Sequence, residues 1–173
     1  MSRGYWFCTI AGAALIGAVG CSELPMTVAP VSRITCFDIV PVSLKDAVEV
    51  AESEGGKAID AGFRALSEMA CMDGHSGHYD VTVLTGQKLT LVRVDADTRQ
   101  VGPITPLQST TTLRARISAA ERARVKLRDA VESAEAGGGK AREAHAGMNG
   151  GKPGYAITLT DRGSARSTWI EGS

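Results

Sequence analysis

The chain contains the same passage twice, and this duplication constrains its fold more than any other feature. Residues 44–58 read LKDAVEVAESEGGKA and residues 127–141 read LRDAVESAEAGGGKA, with 11 identities in 15 positions at a constant offset of 83 residues. Unrelated passages of this length share about one identity by chance, so the pattern indicates a duplicated structural unit. We therefore expect an α+β fold built from two tandem units.

Each copy predicts a helix that ends at glycines and is followed by strands. Ser43 and Asp46 form a capping pattern, and Gly55-Gly56 is a typical helix stop because glycine adopts the left-handed conformation without a clash. The apolar period then changes to two, as in half-buried strands. The pattern is defined by Leu44, Ala47, Val48, Gly55, Gly56 and Tyr79 in the first copy and by Leu127, Ala130, Val131, Gly138, Gly139 and Tyr155 in the second.

The boundaries of the two expected units follow from the composition of the chain. A helix followed by three antiparallel strands is expected in residues 42–102 and again in residues 117–173, where the last turn is missing. Residues 103–116 carry two prolines and are predicted to be a connector. Ser118 and Glu121 form a capping box that predicts a single helix over residues 118–136. Since one small helix face buries little apolar area, we expect the two units to pack as one compact domain.

The N-terminus has the pattern of an export signal. Residues 5–19 carry no charge, and this stretch is short for a membrane span. The end of the segment, Ala18-Val19-Gly20-Cys21, resembles the lipobox of bacterial lipoproteins. We expect a signal peptide over residues 1–20, lipid on Cys21, and a tether with a short lead-in strand over residues 21–41. Ser22 is compatible with the outer membrane of a Gram-negative host. The alternatives are an ordinary secretory signal or an uncleaved anchor.

Export changes the interpretation of the cysteines. Cys8 leaves with the signal and Cys21 becomes the anchor, so Cys36 and Cys71 remain as a pair in an oxidising compartment. A disulfide between them closes a loop of about 35 residues and stabilises the fold by roughly 3–4 kcal/mol. Two buried free thiols are the alternative.

Several classes of function are disfavoured by the sequence. The 19 basic and 19 acidic side chains leave no positive surplus for nucleic acid. Lys140 follows three glycines, but Ala141 stands where a phosphate-binding loop needs Ser or Thr, and the order is helix then strand. No Ser-His-Asp arrangement is evident. We therefore expect no cofactor and no catalytic residue.

One cluster leaves an enzymatic alternative open. Asp73, His75 and His78 lie close together in the sequence, and such side chains can bind a metal ion. The neighbouring Gly74, Ser76 and Gly77 are typical of a hairpin loop. We interpret the segment as a loop and keep a metal-dependent envelope hydrolase as the alternative.

The ordered motifs resemble the PepSY family. Its helix pattern S-L-x-x-A-x-x-x-A, its GGK stop and its strand beginning with tyrosine match residues 43–57 and Tyr79, and V-D-A-x-T matches residues 94–98. Arg99 stands where the family has glycine. The second copy keeps the helix, the glycine stop and Tyr155, so the resemblance covers residues 42–173. The family has no agreed catalytic residues.

The resemblance implies a function in the bacterial envelope. PepSY units are similar to part of the propeptides of thermolysin-type peptidases and are thought to bind, inhibit or localise peptidases. We expect a non-catalytic module, anchored to the membrane by its lipid, that binds a protein partner such as a peptidase. Strand addition at an exposed sheet edge, with the last strand of the chain at that edge, is the expected binding mode. A purely structural envelope component is a further alternative.

Overall fold

The helices and strands follow from local sequence signals in most of the chain. A computed structural model describes residues 35–67 and 75–173. The predicted signal peptide, Cys21, the tether up to residue 34, Cys71 and Asp73 lie outside the described residues. All described residues belong to one compact unit.

Two short helices open the described chain. The predicted lead-in strand is wrong, because Cys36–Ile39 forms one helical turn, α1. Asp38 folds back on the main chain, where its Oδ2 accepts from the Thr35 N–H at 2.7 Å, and Phe37 packs on Phe63 with ring centroids 5.2 Å apart. The second helix, α2, spans Leu44–Ser53 and confirms the predicted cap, since Ser43 Oγ accepts from the Asp46 N–H at 3.0 Å.

Four strands, two helices and three further strands follow in chain order. They are β1 Lys57–Ala65, β2 Gly77–Thr85, β3 Lys88–Asp95, β4 Val101–Leu107, α3 Thr111–Arg122, α4 Leu127–Glu135, β5 Lys140–Asn149, β6 Lys152–Asp161 and β7 Ser164–Glu171. The strands form a single seven-stranded sheet in the order β4-β3-β2-β1-β5-β6-β7. Every neighbouring pair is antiparallel.

The expected architecture of two helix–three-strand units is therefore wrong. The two halves are joined into one sheet, because β1 pairs directly with β5 through Ala61 opposite Ala144 and the residues on either side. The predicted connector also contains structure. Its first residues belong to β4, which pairs with β3, and its last residues begin α3.

The single helix predicted over residues 118–136 is also wrong. The chain forms α3 and α4 with a break between them, where Ala123 is extended at ψ 126°. Thr110, and not Ser118, caps α3. Long-range bonds hold the break: the Arg124 N–H donates to the Gly172 carbonyl at 2.7 Å, and the Tyr155 hydroxyl donates to the Val125 carbonyl at 3.0 Å.

The predicted phase of the two duplicated helices is confirmed. Both present their apolar stripe to the sheet, and all of the following side chains are fully buried: Leu44, Ala47, Val48, Leu127, Ala130 and Val131. The helices lie side by side, linked at the surface by Lys45 and Glu132 at 2.9 Å. Because strand side chains alternate, Asp60 lies on the opposite face of the sheet from Ala61, and Arg116 of α3 forms an ion pair with Asp60 there.

Candidate functional site

The outer edge of β7 is the most distinctive surface of the sheet. β7 ends the strand order, and its hairpin with β6 turns through Arg162 and Gly163, both at positive φ, as a two-residue turn requires. In such a hairpin the main-chain groups of successive residues point alternately to the partner strand and away from it. The Gly172 N–H donates to the Pro153 carbonyl at 2.9 Å, which fixes the even-numbered residues as those that face β6.

The odd-numbered residues of β7 therefore direct their N–H and carbonyl groups outwards. These residues are Ala165, Ser167, Trp169 and Glu171. No strand of the described residues pairs with this side of β7. A row of unpaired donors and acceptors at this spacing is a template for another extended chain.

The opposite edge of the sheet is protected. β4 carries Pro106, which lacks the outward N–H that an added strand would need, and Pro103, which lies at a register shift in its pairing with β3. The sequence of β7 contains no proline. The two edges of the sheet thus differ in chemistry, and β7 is the edge whose outward N–H and carbonyl groups form an uninterrupted row.

Trp169 lies beside this edge, on the face of the sheet opposite α4. Its indole lies over two glycines on neighbouring strands, and a Cβ added at Gly154 would stand 2.7 Å from Trp169 Cζ2. A Cβ added at Gly147 would meet the same ring at 3.7 Å. The glycines therefore leave room for the ring, which stays partly exposed. Sequence reasoning missed this residue; a tryptophan in the last strand together with glycines in the two preceding strands is the signal that could have revealed it.

On the face that α4 covers, β7 is joined by hydrogen bonds to the end of that helix. Arg166 Nη2 donates to the carbonyl of Gly138 at 2.5 Å and to that of Gly137 at 3.0 Å, the residues that follow α4. Thr168 and Ile170 are half-buried beside the helix. A chain added to β7 would cover these side chains, so the edge also offers apolar area.

The duplicated tyrosines have structural positions. Tyr79 and Tyr155 are both fully buried, and the Tyr79 hydroxyl donates to the Val42 carbonyl at 2.7 Å, as that of Tyr155 does to Val125. Burial raises the pKa of both phenols, that of Tyr155 to about 12. Both side chains lie on the face of the sheet that α2 and α4 cover.

The lysines that follow the duplicated glycines, Lys57 and Lys140, form hydrogen bonds with carbonyls at the ends of other helices. Lys57 Nζ donates to the carbonyls of Ala120 and Ala123 at 2.5 and 3.1 Å. Lys140 Nζ donates to those of Phe37 and Val40 at 3.2 and 2.6 Å. Partial burial lowers the pKa of both lysines. Each ammonium thus ties down the segment that leads into the duplicated helix of the other half.

The predicted metal cluster is only partly described. Asp73 lies outside the described residues, and His75 is exposed. His78 Nε2 lies 3.5 Å from Asp80 Oδ1, which also accepts from Arg93 Nε at 3.1 Å, and burial lowers the pKa of His78. Among residues 35–67 and 75–173, no three His, Cys, Asp or Glu side chains are grouped as metal ligands.

A shallow cleft of about 280 Å³ lies beside this cluster. Arg93, His78 and Asp95 form part of its lining, and the exposed side chain of Leu66 stands at its rim. Two of the lining side chains, His78 and Arg93, share Asp80 as a partner.

Cys36 is placed where a bridge to Cys71 is feasible. Its Sγ lies 3.5 Å from the carbonyl oxygen of Ser67, which is four residues before Cys71 in the sequence. Since Cys71 lies outside the described residues, the disulfide stays a prediction. Thiol titration of the purified protein under denaturing, non-reducing conditions should find neither cysteine free. Quantitative labelling of both would contradict the bridge.

Comparison with known proteins identifies no family. No protein-family model matches the chain, and no curated protein matches it. Among solved structures, the chain is similar to the crystal structure of a protein from Clostridium difficile 630 described as a "putative lipoprotein", with 14% identity over 78% of this chain and 91% of that chain and a TM-score of 0.42. A likeness this distant supports no argument about fold or function. The PepSY resemblance therefore stays a prediction from the sequence.

Proposed function

We propose that the chain is an exported, lipid-anchored protein of the bacterial envelope that binds an extended segment of a protein partner without catalysing a reaction. The uncharged residues 5–19 and the closing Cys21 support the export and the anchor. Among the described residues, no helix has the length and apolar character needed to cross a membrane. The PepSY resemblance supports a peptidase as the partner, bound or inhibited by this module.

The open edge of β7 is the observation that carries the proposal. Strand addition takes its affinity from main-chain hydrogen bonds and its specificity from alternate side chains. β7 supplies both. Its outward main-chain groups run from Ala165 to Glu171, and the half-buried side chains of Trp169 and Ile170 flank this row on the two faces of the sheet. The contrast with the proline-protected β4 supports a binding role for one edge only.

The absence of catalysis is part of the proposal. Of the described side chains that could act in catalysis, His78 and Arg93 both contact Asp80. Metal analysis of the purified protein should find no stoichiometric transition metal, and a variant with His75→Ala and His78→Ala should keep the function of the parent in cells. Stoichiometric zinc with loss of function in that variant would favour the hydrolase.

Lipid on Cys21 is a separate expectation. Intact mass measurement of the protein from the membrane fraction should show a chain that begins at Cys21 and carries acyl chains, because the lipobox-like sequence ends there. A Cys21→Ser variant should move to the soluble fraction or keep its signal segment. A mature N-terminus downstream of residue 21, without lipid, would contradict the anchor.

Site-specific crosslinking tests the proposed function in the full chain. A photoreactive amino acid at Ala165 should crosslink a discrete protein in cells, since that residue lies on the open edge. Adding Ser167→Pro should abolish the product, because it removes an outward N–H without touching the bonds to β6. The same photoreactive residue at Thr105 of β4 is the matched control on the protected edge. A product that survives Ser167→Pro would overturn β7 as the binding site.

A further inference from the structure

The two halves of the sheet end differently at equivalent positions. β2 with Tyr79 and β6 with Tyr155 are the corresponding strands of the two halves, and each is followed by a tight turn and one more strand, β3 or β7. The correspondence extends to side-chain bonds to the main chain. Glu52 accepts from the Ala58 N–H at 3.0 Å, and Glu135 accepts from the Ala141 N–H at 2.8 Å. β3 and β7 therefore occupy the same place in their halves.

Among the described residues, a further strand covers the outer side of only one of these two strands. β3 is covered by β4, and within the described part of the chain no strand covers β7. In β4, the chain thus contains an example of a segment that pairs with the outer side of β3, the position that corresponds to the outer edge of β7. β4 is extended, antiparallel to its neighbour, uncharged and rich in proline, with the sequence VGPITPL.

The register of β4 shows how proline is tolerated there. The Asp95 N–H donates to the Gln100 carbonyl at 2.9 Å, so the odd-numbered residues of β3 direct their main-chain groups towards β4. Thr105 lies opposite Leu91 and bonds to it, whereas Pro106 lies opposite Thr90, whose main-chain groups face β2. Pro106 therefore stands where its missing N–H would have pointed outwards, whereas Pro103 lies at the register shift between the Val92 and Val94 pairs, where the regular alternation is interrupted.

We infer that the edge of β7 accepts an uncharged, extended segment in the antiparallel direction, with proline tolerated where its nitrogen points away from β7, as that of Pro106 points away from β3, or at a bulge, as at Pro103, and excluded from the hydrogen-bonding positions. This inference rests on the proposed function and specifies the segment that the partner presents. The hydrogen-bonding positions of the segment lie opposite Ala165, Ser167 and Trp169, and the position that corresponds to Pro106 lies opposite Arg166 or Thr168. Such a segment also protects the new outer edge, as β4 does for β3.

The chain's own residues 100–108, QVGPITPLQ, provide the probe. Appended to the C-terminus of the full chain through a short Gly-Asn linker, this segment is at high effective concentration beside β7. We expect it to dock and to slow the amide exchange of Ser167 and Trp169 by at least about tenfold, the effect of a hydrogen bond of about 1.4 kcal/mol. A free peptide of the same sequence, labelled for fluorescence anisotropy, measures the same contact in trans.

Matched variants separate docking from non-specific contact. In the appended segment, the equivalent of Thr105→Pro places proline at a hydrogen-bonding position and should abolish the protection, whereas the equivalent of Pro106→Ala should preserve it. Ser167→Pro in β7 should abolish it as well. Protection that is insensitive to the position of proline, or no protection at all, would overturn the inference.

A second copy of this chain is the rival occupant of the edge. A dimer of the parent in analytical ultracentrifugation that Ser167→Pro disperses would assign the edge to that second copy and overturn the inference. If the Ala165 crosslink forms and depends on Ser167 but the appended segment does not dock, the predicted chemistry of the segment is wrong and strand addition still stands. A docked segment without any crosslink in cells supports the edge chemistry and contradicts the proposed function.

Discussion

Val131→Asp should unfold the protein or lower its free energy of unfolding by about 4 kcal/mol. Val131 lies on the buried stripe of α4, with no exposed surface. An aspartate there must either keep an unpaired charge in the core or take up a proton, and both are costly. The effect belongs among the largest expected of single substitutions, because the carboxylate would stand among the apolar side chains that fill the space between α4 and the sheet.

Ser133→Asp is the matched control for this substitution. Ser133 lies on the same helix, two residues further along, and is exposed. We expect its effect to stay within about 0.5 kcal/mol, as for most surface substitutions. Chemical denaturation followed by circular dichroism measures both variants. If Val131→Asp unfolds at the midpoint of the parent, the phase assigned to α4 is wrong.

Lys57→Met should be the second largest effect. Lys57 donates to two carbonyls at the end of α3, and methionine has a similar length but cannot donate. The carbonyls of Ala120 and Ala123 then lose a charged partner, and hydrogen bonds to charged groups contribute about 1.5–3 kcal/mol each. We expect a loss of about 2–4 kcal/mol in the free energy of unfolding, reduced from the sum because solvent reaches part of the site.

Lys140→Met tests the same logic in the other half. Lys140 holds the carbonyls of Phe37 and Val40 at the end of α1, so its loss should resemble that of Lys57. Lys45→Met is the control, since Lys45 makes an exposed ion pair with Glu132 and should change little. Equal stability of Lys57→Met, Lys140→Met and the control would show that the lysines do not hold the halves together.

Local signals in the sequence predicted much of the fold. The cap at Ser43, the glycine stop at Gly55 and the strand that begins near Tyr79 are all properties of neighbouring residues, and the structure confirms each of them. The phase of the helices could also be predicted, because a period near 3.6 identifies the buried face.

Long-range contacts decided the parts that could not be predicted. The Ser118–Glu121 pattern is typical of a helix start, but Ser118 lies inside α3. The helix ends soon after it because Gly172 and Tyr155 form hydrogen bonds with the main chain of residues 124 and 125. The prolines of β4 suggested a connector, since a strand tolerates proline at an edge where the missing N–H points outwards, as at Pro106, or at a bulge, as at Pro103. The direct pairing of β1 with β5, which joins the halves, has no local signal at all.

The candidate site was predicted only in outline. A last strand at a sheet edge was expected, and β7 lies there. Which main-chain groups are free depends on register, and register required the hairpin turn at Arg162 and the bond from Gly172 to Pro153. The position of Trp169 could not be predicted from its neighbours in the sequence, because the ring packs on glycines of two other strands.

Residue-resolved amide exchange along β7 tests the central claim most directly. In the free full chain, Ser167 and Trp169 should exchange fast and Arg166 and Thr168 slowly, because only the N–H groups of Arg166 and Thr168 point towards β6. In the complex with the crosslinked partner, Ser167 and Trp169 should become as slow as their neighbours. If both residues are already slow in the free protein, or remain fast in the complex, β7 is not the edge to which the partner adds its strand.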